Sequence, residues 1–181
     1  MERAERIPAG LLRAIGRVES GRWVKAVGAS VAWPWTVYAE GRGRYLPSKL
    51  AAIREVERLR ARGIANIDVG CMQVNLGYHP DAFERLERAF DPATNSAYAG
   101  RFLAALKRET RTWSKAISRY HSRTPRFAVP YAAKVRAMWN RVRREAAKER
   151  RQAGQHKWRV RLQARAAAVR ANRRALWRIR R

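Results

Sequence analysis

From Arg141 to Arg181 the chain holds sixteen Lys or Arg and only two acids, Glu145 and Glu149, a net +14. About half of the formal charge of +27 therefore sits in less than a quarter of the 181 residues. Alanine is frequent in this segment and Gly154 is its only strong breaker, so it reads as helix, continued from the element before it and broken near Gly154. A sparse apolar row of Trp158, Leu162, Val169, Leu176 and Ile179 could dock it on the rest of the chain or on a membrane surface. The chain thus divides into one domain of ordinary size, residues 1–142, and an Arg-rich helical tail, residues 143–181. So basic a chain seeks polyanions: nucleic acid, anionic lipid or acidic wall polymers.

The apolar pattern of residues 1–142 is that of a mostly α-helical fold with a small hairpin or loop lobe. A first helix is predicted from about Pro8 to Glu19, through Leu11, Leu12, Ile15 and Val18, with Gly21 as its left-handed stop. Trp23 to Leu46 is irregular and aromatic. Pro34 excludes helix around Trp33 and Trp35, and the Glu40–Gly43 turn returns the chain as a short strand from Arg44. Exposed Trp and Tyr on such a loop suit stacking on sugar faces; alternatively Trp33 and Trp35 fill the space under it. Ser48 caps a second helix whose buried side is Leu50, Ile53, Val56 and Leu59. Ile64 to Asn75 reads as a buried, extended turn. Further helices are predicted from His79-Pro80 (Phe83, Leu86 and Phe90 inward), from Asp91-Pro92, around Trp113–Tyr120, and after Thr124-Pro125. A single cysteine, Cys71, excludes an internal disulfide and a multi-Cys metal site. No apolar run approaches a membrane span, and Met1 to Gly10 lacks the layout of a secretory leader.

Three short stretches carry candidate chemistry. Glu19 lies at a helix end, where unpaired carbonyls disfavour a carboxylate; it is either a surface Glu at a frayed end, the reading these residues alone favour, or, partly desolvated there, a group that holds its proton toward neutral pH. In Gly70-Cys71-Met72-Gln73-Val74-Asn75, a Gln and an Asn in a buried turn must find partners, either neighbouring backbone or an amide-bearing ligand. Tyr120 sits on an apolar helix face and needs a partner for its hydroxyl, for which Glu19 is the natural choice.

Glu19-Ser20, then Gly70 to Asn75, then a Tyr-bearing helix, then Pro130-Tyr131 heading a last helix: this order resembles the soluble lytic transglycosylase (goose-lysozyme-like) family over roughly Ile7 to Val142. The Trp33–Gly43 segment is similar to its short alphaproteobacterial members. The resemblance implies a lysozyme-like helical domain with a long cleft. Its substrate would be peptidoglycan, cut at the β-1,4 bond between N-acetylmuramic acid and N-acetylglucosamine. It implies Glu19 as the single general acid/base. Met72 and Gln73 would border the cleft and contact N-acetyl sugars, and Tyr120 and Tyr131 would hold Glu19 and the reacting sugar. Asn75 and Ser20 are supporting residues. Where the family has Tyr-Asn-Gly, this chain has Tyr120-His121-Ser122, so His121 is either a substrate contact or a cleft-edge residue.

In the implied reaction Glu19 protonates the leaving oxygen, then takes a proton from the muramic C6 hydroxyl, leaving a 1,6-anhydro end. Asp68 is the best second carboxylate; facing Glu19 it would permit hydrolysis, and otherwise it supports its loop. A hydrolytic lysozyme of the same fold is thus the first alternative. A non-catalytic polyanion or nucleic-acid binder using the tail is the second, although the ordered motifs argue against specific nucleic-acid binding. No metal and no cofactor is implied. The expected partners are peptidoglycan strands, anionic envelope polymers bound by the tail, and a secretion or flagellar machine that no residue selects. The implied compartment is the periplasm or cell envelope, reached through a trimmed leader, a misplaced start or another route.

Overall fold

The first helix begins where a carboxylate can cap it. In the computed structural model, which describes the backbone of residues 2–179 and the side chains of residues 2–168, α1 spans Leu11–Ser20. Glu2 accepts from the amides of Gly10 (2.8 Å) and Leu12 (2.9 Å), satisfying donors that the helix itself leaves unpaired. Gly10, at φ +80°, turns the chain into it. Pro8 therefore precedes the helix instead of opening it. At the other end Gly21 is extended (φ −60°, ψ 115°) and not left-handed. A glycine is needed there for space: a Cβ would come within 2.2 Å of the Arg17 carbonyl oxygen.

Two antiparallel hairpins follow. β1 (Gly21–Val24) pairs with β2 (Ala29–Ala32) through a 3-10 turn, Lys25–Val27, a hairpin where an irregular segment was predicted. β3 (Thr36–Ala39) pairs with β4 (Arg42–Tyr45). Their two-residue connection, Glu40-Gly41, has φ +54° and +72°, the consecutive left-handed pair that matches the twist of a tight hairpin. β5 (Asp68–Val69) and β6 (Val74–Asn75) extend this sheet in the order β4-β3-β5-β6. Val37 lies opposite Val69, and Tyr38 opposite Asp68, itself opposite Asn75. Because side chains alternate along a strand, Val37 and Val69 enter the core while Tyr38, Asp68 and Asn75 share the other face.

α2 (Lys49–Ala61) starts at Ser48, whose hydroxyl accepts from the Ala51 amide at 3.2 Å. Ala52, Ile53, Val56 and Leu59 are buried against the sheet, but Leu50 is 56 % exposed, against expectation. Steps of three residues drift about 60° around a 3.6-residue helix, which carries Leu50 out of the arc centred on Val56. The helix expected from His79 is broken into a 3-10 turn, Pro80–Ala82, and a short α3, Leu86–Ala89. Between them Phe83 is extended and packs against both hydrophobic clusters of the domain, which a continuous helix would not allow.

α4 (Pro92–Thr110) is capped by Asp91, which accepts from the Thr94 amide at 2.8 Å. α5 (Trp113–His121) is capped by Thr112. α6 spans Pro125–Ile179 with no break at Gly154. One cluster joins α1, α4, α5 and the start of α6 around Leu11, Ile15, Leu103, Ile117 and Val135; the other joins the β3–β6 sheet to α2 around Val37, Val56, Ile67 and Phe90. The chain is thus mostly α-helical with two small antiparallel sheets.

Tertiary contacts divide the chain into two compact units, residues 1–142 and 143–181. In the second, every side chain from Lys148 to Ala168 is exposed, Trp158 and Leu162 among them. Val169, Leu176 and Ile179 of the expected apolar row lie outside the described side chains. No helix among the described residues is long and apolar enough to cross a membrane.

Candidate active site

A groove of about 860 Å³ in the first unit is lined from α1, β3, β5, β6, α4 and α5. Glu19, in the last turn of α1, opens into it. Removal from water raises the Glu19 pKa from 4.5 to about 7; a hydrogen bond from Tyr131 opposes the rise and the charge of Asp68 adds to it. Burial, more than the helix end, is thus the cause. Tyr131 Oη donates to Glu19 Oε1 at 2.6 Å across 112 positions of sequence. Burial, and then the nearby Glu19, holds the Tyr131 hydroxyl well above its ordinary pKa, so it stays a donor. Its ring stacks on His121, with centroids 4.5 Å apart and planes at 9°.

The expected Tyr120–Glu19 bond is replaced by another. Tyr120 Oη donates to the Met72 carbonyl at 2.9 Å. Ser20 Oγ, fully buried, donates to the Cys71 carbonyl at 2.7 Å. The two hydroxyls grip the 70–73 turn from two sides, and Asn95 holds it from below. Asn95 Oδ1 accepts from the Met72 amide at 2.8 Å, while Nδ2 donates to the carbonyls of Val69 (3.1 Å) and Ala89 (2.9 Å). Asn95 was missed in the sequence, because a lone Asn inside a helix carries no local signal. Gly70 is required here twice over: φ is +81°, and a Cβ would meet Asn95 Nδ2 at 2.3 Å.

Within the turn, Met72 and Gln73 part company. Met72 is 2 % exposed and its side chain belongs to the core, so it does not border the groove as expected. Gln73 lies in the left-handed region at φ +48° and faces the groove. Its Nε2 donates to the carbonyls of Gly70 (2.9 Å) and Thr36 (3.3 Å). Asn75 serves the loop: Nδ2 donates to Asn66 Oδ1 and to Asp68 Oδ1 (2.6 Å), and Oδ1 accepts from the Gly77 and Tyr78 amides. Asp68 lines the same groove as Glu19, and burial raises its pKa against the Asn75 bond that lowers it.

Trp33 and Trp35 pack edge to face beneath their loop, Trp33 Nε1 donating to the Leu46 carbonyl at 2.8 Å, and neither lines the groove. The aromatics that do include Tyr38, from the loop whose exposed aromatics were expected to stack on sugars, and Tyr78, unforeseen in the sequence, 42 % and 81 % exposed, with Tyr98 and Phe102 of α4 and Tyr120 of α5. Tyr98 Oη meets His79 Nδ1 at 2.9 Å. Burial lowers the pKa of His79; burial and the charge of Lys134 lower that of His121, so both rings are neutral at neutral pH.

No protein-family model, curated protein or solved structure matches the chain. Function must be read from the groove itself. Among the described residues no three His, Cys, Asp or Glu side chains are gathered to hold a metal ion. The groove instead combines a carboxyl poised to give or take a proton near neutrality, a tyrosine fixing its orientation, exposed aromatic faces, and amide and carboxyl groups for hydroxyls. That inventory suits acid/base chemistry.

Proposed function

We propose that this chain is a peptidoglycan lytic transglycosylase with a lysozyme-like helical domain of the soluble lytic transglycosylase type. The observation that carries the reading is the Glu19 carboxyl, raised to about 7 and hydrogen-bonded to Tyr131 inside the groove. Such a group is half protonated at neutral pH and can serve as acid and then as base. In the proposed reaction the neutral Glu19 gives its proton to the oxygen leaving C1 of N-acetylmuramic acid. The resulting carboxylate, stabilised by the Tyr131 hydroxyl, then takes the proton of the C6 hydroxyl as that oxygen bonds to C1. One C–O bond breaks, one forms, and Glu19 ends protonated as it began. Gln73, Tyr38 and Tyr78 offer the glycan an amide and two ring faces. The periplasm or cell envelope is where such an activity finds its substrate. There the tail, with its net +13 over residues 143–181, would hold the enzyme on anionic wall polymers.

The test is Glu19→Gln assayed on purified cell walls, with mass spectrometry of the released muropeptides. We expect anhydro ends from the parent and none from the variant, whose circular dichroism is unchanged. Full activity of the variant would remove the reading. Asp68 favours one other reading, a hydrolase, because it shares the groove and raises the Glu19 pKa. Reducing ends in place of anhydro ends would select it.

A further inference from the structure

One corner of the groove carries a net positive charge and is not used by the proposed proton transfers. Arg119 and His121 in the last turn of α5, and Ser122 and Arg123 on the link to α6, all line the groove. Both guanidiniums converge on one carboxylate, Glu109, near the C-terminal end of α4. Arg119 pairs with Oε1, and Arg123 reaches Oε1 at 3.1 Å and Oε2 at 3.4 Å. Two positive charges against one negative leave the corner net positive. The Arg119 and Arg123 side chains are 40 % and 70 % exposed. Each guanidinium carries five N–H donors, and the bonds to Glu109 engage one from Arg119 and two from Arg123. Planar, unspent donors facing a groove suit a carboxylate.

The corner also has a defined place along the groove. α4 lines the wall from Tyr98 to Leu106, about 12 Å at 1.5 Å per residue. The bond between His79 and Tyr98 marks one end of that wall. Glu109, three residues past Leu106, holds the arginines at the other. Asp68, Asn66 and Asn75 gather on the sheet side. The groove is therefore polarised, and a ligand with an acidic branch has a preferred way to lie in it.

We propose that Arg119 and Arg123 form a carboxylate-binding subsite that selects glycan strands whose sugars carry acidic substituents, such as the lactyl-linked peptide of muramic acid. The inference rests on the glycan-cleaving reading and adds the basis on which wall glycan is preferred over neutral polymers of N-acetylglucosamine. The arginines act on substrate binding and leave proton transfer at Glu19 untouched.

The experiment compares soluble wall strands with the same strands after carbodiimide amidation, which neutralises carboxylates and spares phosphodiesters. Steady-state cleavage is measured for the full-length parent, Arg119→Gln/Arg123→Gln, and Glu109→Gln. For the parent, amidation should raise KM about tenfold with kcat little changed. The double variant should show that higher KM on native strands and lose most of its response to amidation. Glu109→Gln frees both guanidiniums and should lower KM on native strands. A purely structural ion pair predicts the opposite, a shift of both variants in the same direction. Should the double variant melt early, Arg123→Gln alone, on the exposed link, should give a smaller shift of the same sign. The subsite is wrong if the double variant stays as sensitive to amidation as the parent, since the tail or a phosphate-reading group then senses the charge. It is equally wrong if Glu109→Gln raises KM. A parent that cleaves neither strand overturns the functional reading together with the subsite, whereas cleavage with unaltered sensitivity overturns the subsite alone.

Discussion

At the scale of single residues, Glu19 ties activity to stability. An unfolded chain ionises this carboxyl near 4.5, whereas the folded one keeps its proton to about 7. Between those pH values the unfolded state sheds a proton that the native state retains. The Glu19 contribution to native stability therefore falls as pH rises from about 4.5 to about 7, by roughly 3 kcal/mol, and is flat above. Glu19→Gln abolishes this loss, so the variant should be more stable than its parent at pH 8, by about 1–3 kcal/mol, and no more stable at pH 4; thermal melts at the two pH values check it. The Tyr131 bond lowers the Glu19 pKa. Tyr131→Phe should therefore move the alkaline limb of the activity–pH profile upward while kcat drops about 10–100-fold. Asn95→Ala strands the Met72 amide and the Val69 and Ala89 carbonyls in the interior. It should cost about 2–4 kcal/mol in denaturant melts, although Asn95 does not line the groove. The turn's chemistry was half legible in the sequence. Two amides in a buried loop announced a polar demand, but which of Met72 and Gln73 faces the ligand depends on the left-handed φ at Gln73, and no spacing rule predicts that. Likewise Tyr120 was recognisable as a hydroxyl needing a partner, whereas Tyr131 was pointed to only by the family resemblance. Which of them reached Glu19 is a tertiary fact: Tyr131 of α6 does, while Tyr120 of α5 meets the Met72 carbonyl.

At the scale of elements, periodicity was informative where a helix had a cap and one face. α2, α4 and α5 start at Ser48, Asp91 and Thr112, side chains whose capping chemistry is written in the residue type. The β1–β2 hairpin was hidden because Gly21–Val24 is four residues long, with all but Trp23 half-buried, so no alternation of polar and apolar positions betrays it. The strand from Asp68 was hidden by brevity too, yet its register aligns Tyr38, Asp68 and Asn75 on the groove face. Leu50 provides a check on the packing of α2: Leu50→Lys should change stability by less than about 0.5 kcal/mol, while Leu59→Ala, fully buried, should cost about 2–5 kcal/mol. Equal losses at the two positions would mean that α2 packs through a different arc.

At the scale of the molecule, charge is shared more evenly than the tail suggests: residues 143–181 carry +13, and residues 1–142 the remaining +14. The positive charge that would draw polyanions is thus carried by the first unit as well. A chain ending near Ala147 should keep the thermal melt of the first unit and its turnover of small soluble strands, while its retention on sedimented wall falls away at lower salt than the parent's. Loss of the melt would show instead that the tail helix is needed for the fold. The bond between Glu19 and Tyr131 joins residues 112 positions apart, and this distance has a biological consequence under the proposed function. Until the beginning of α6 has been synthesised and has docked, Glu19 lacks the hydroxyl that stabilises its carboxylate. Under that function a nascent copy that still lacks α6 is a poorer cutter, and the order in which ribosomes deliver its parts delays full activity until the domain is whole.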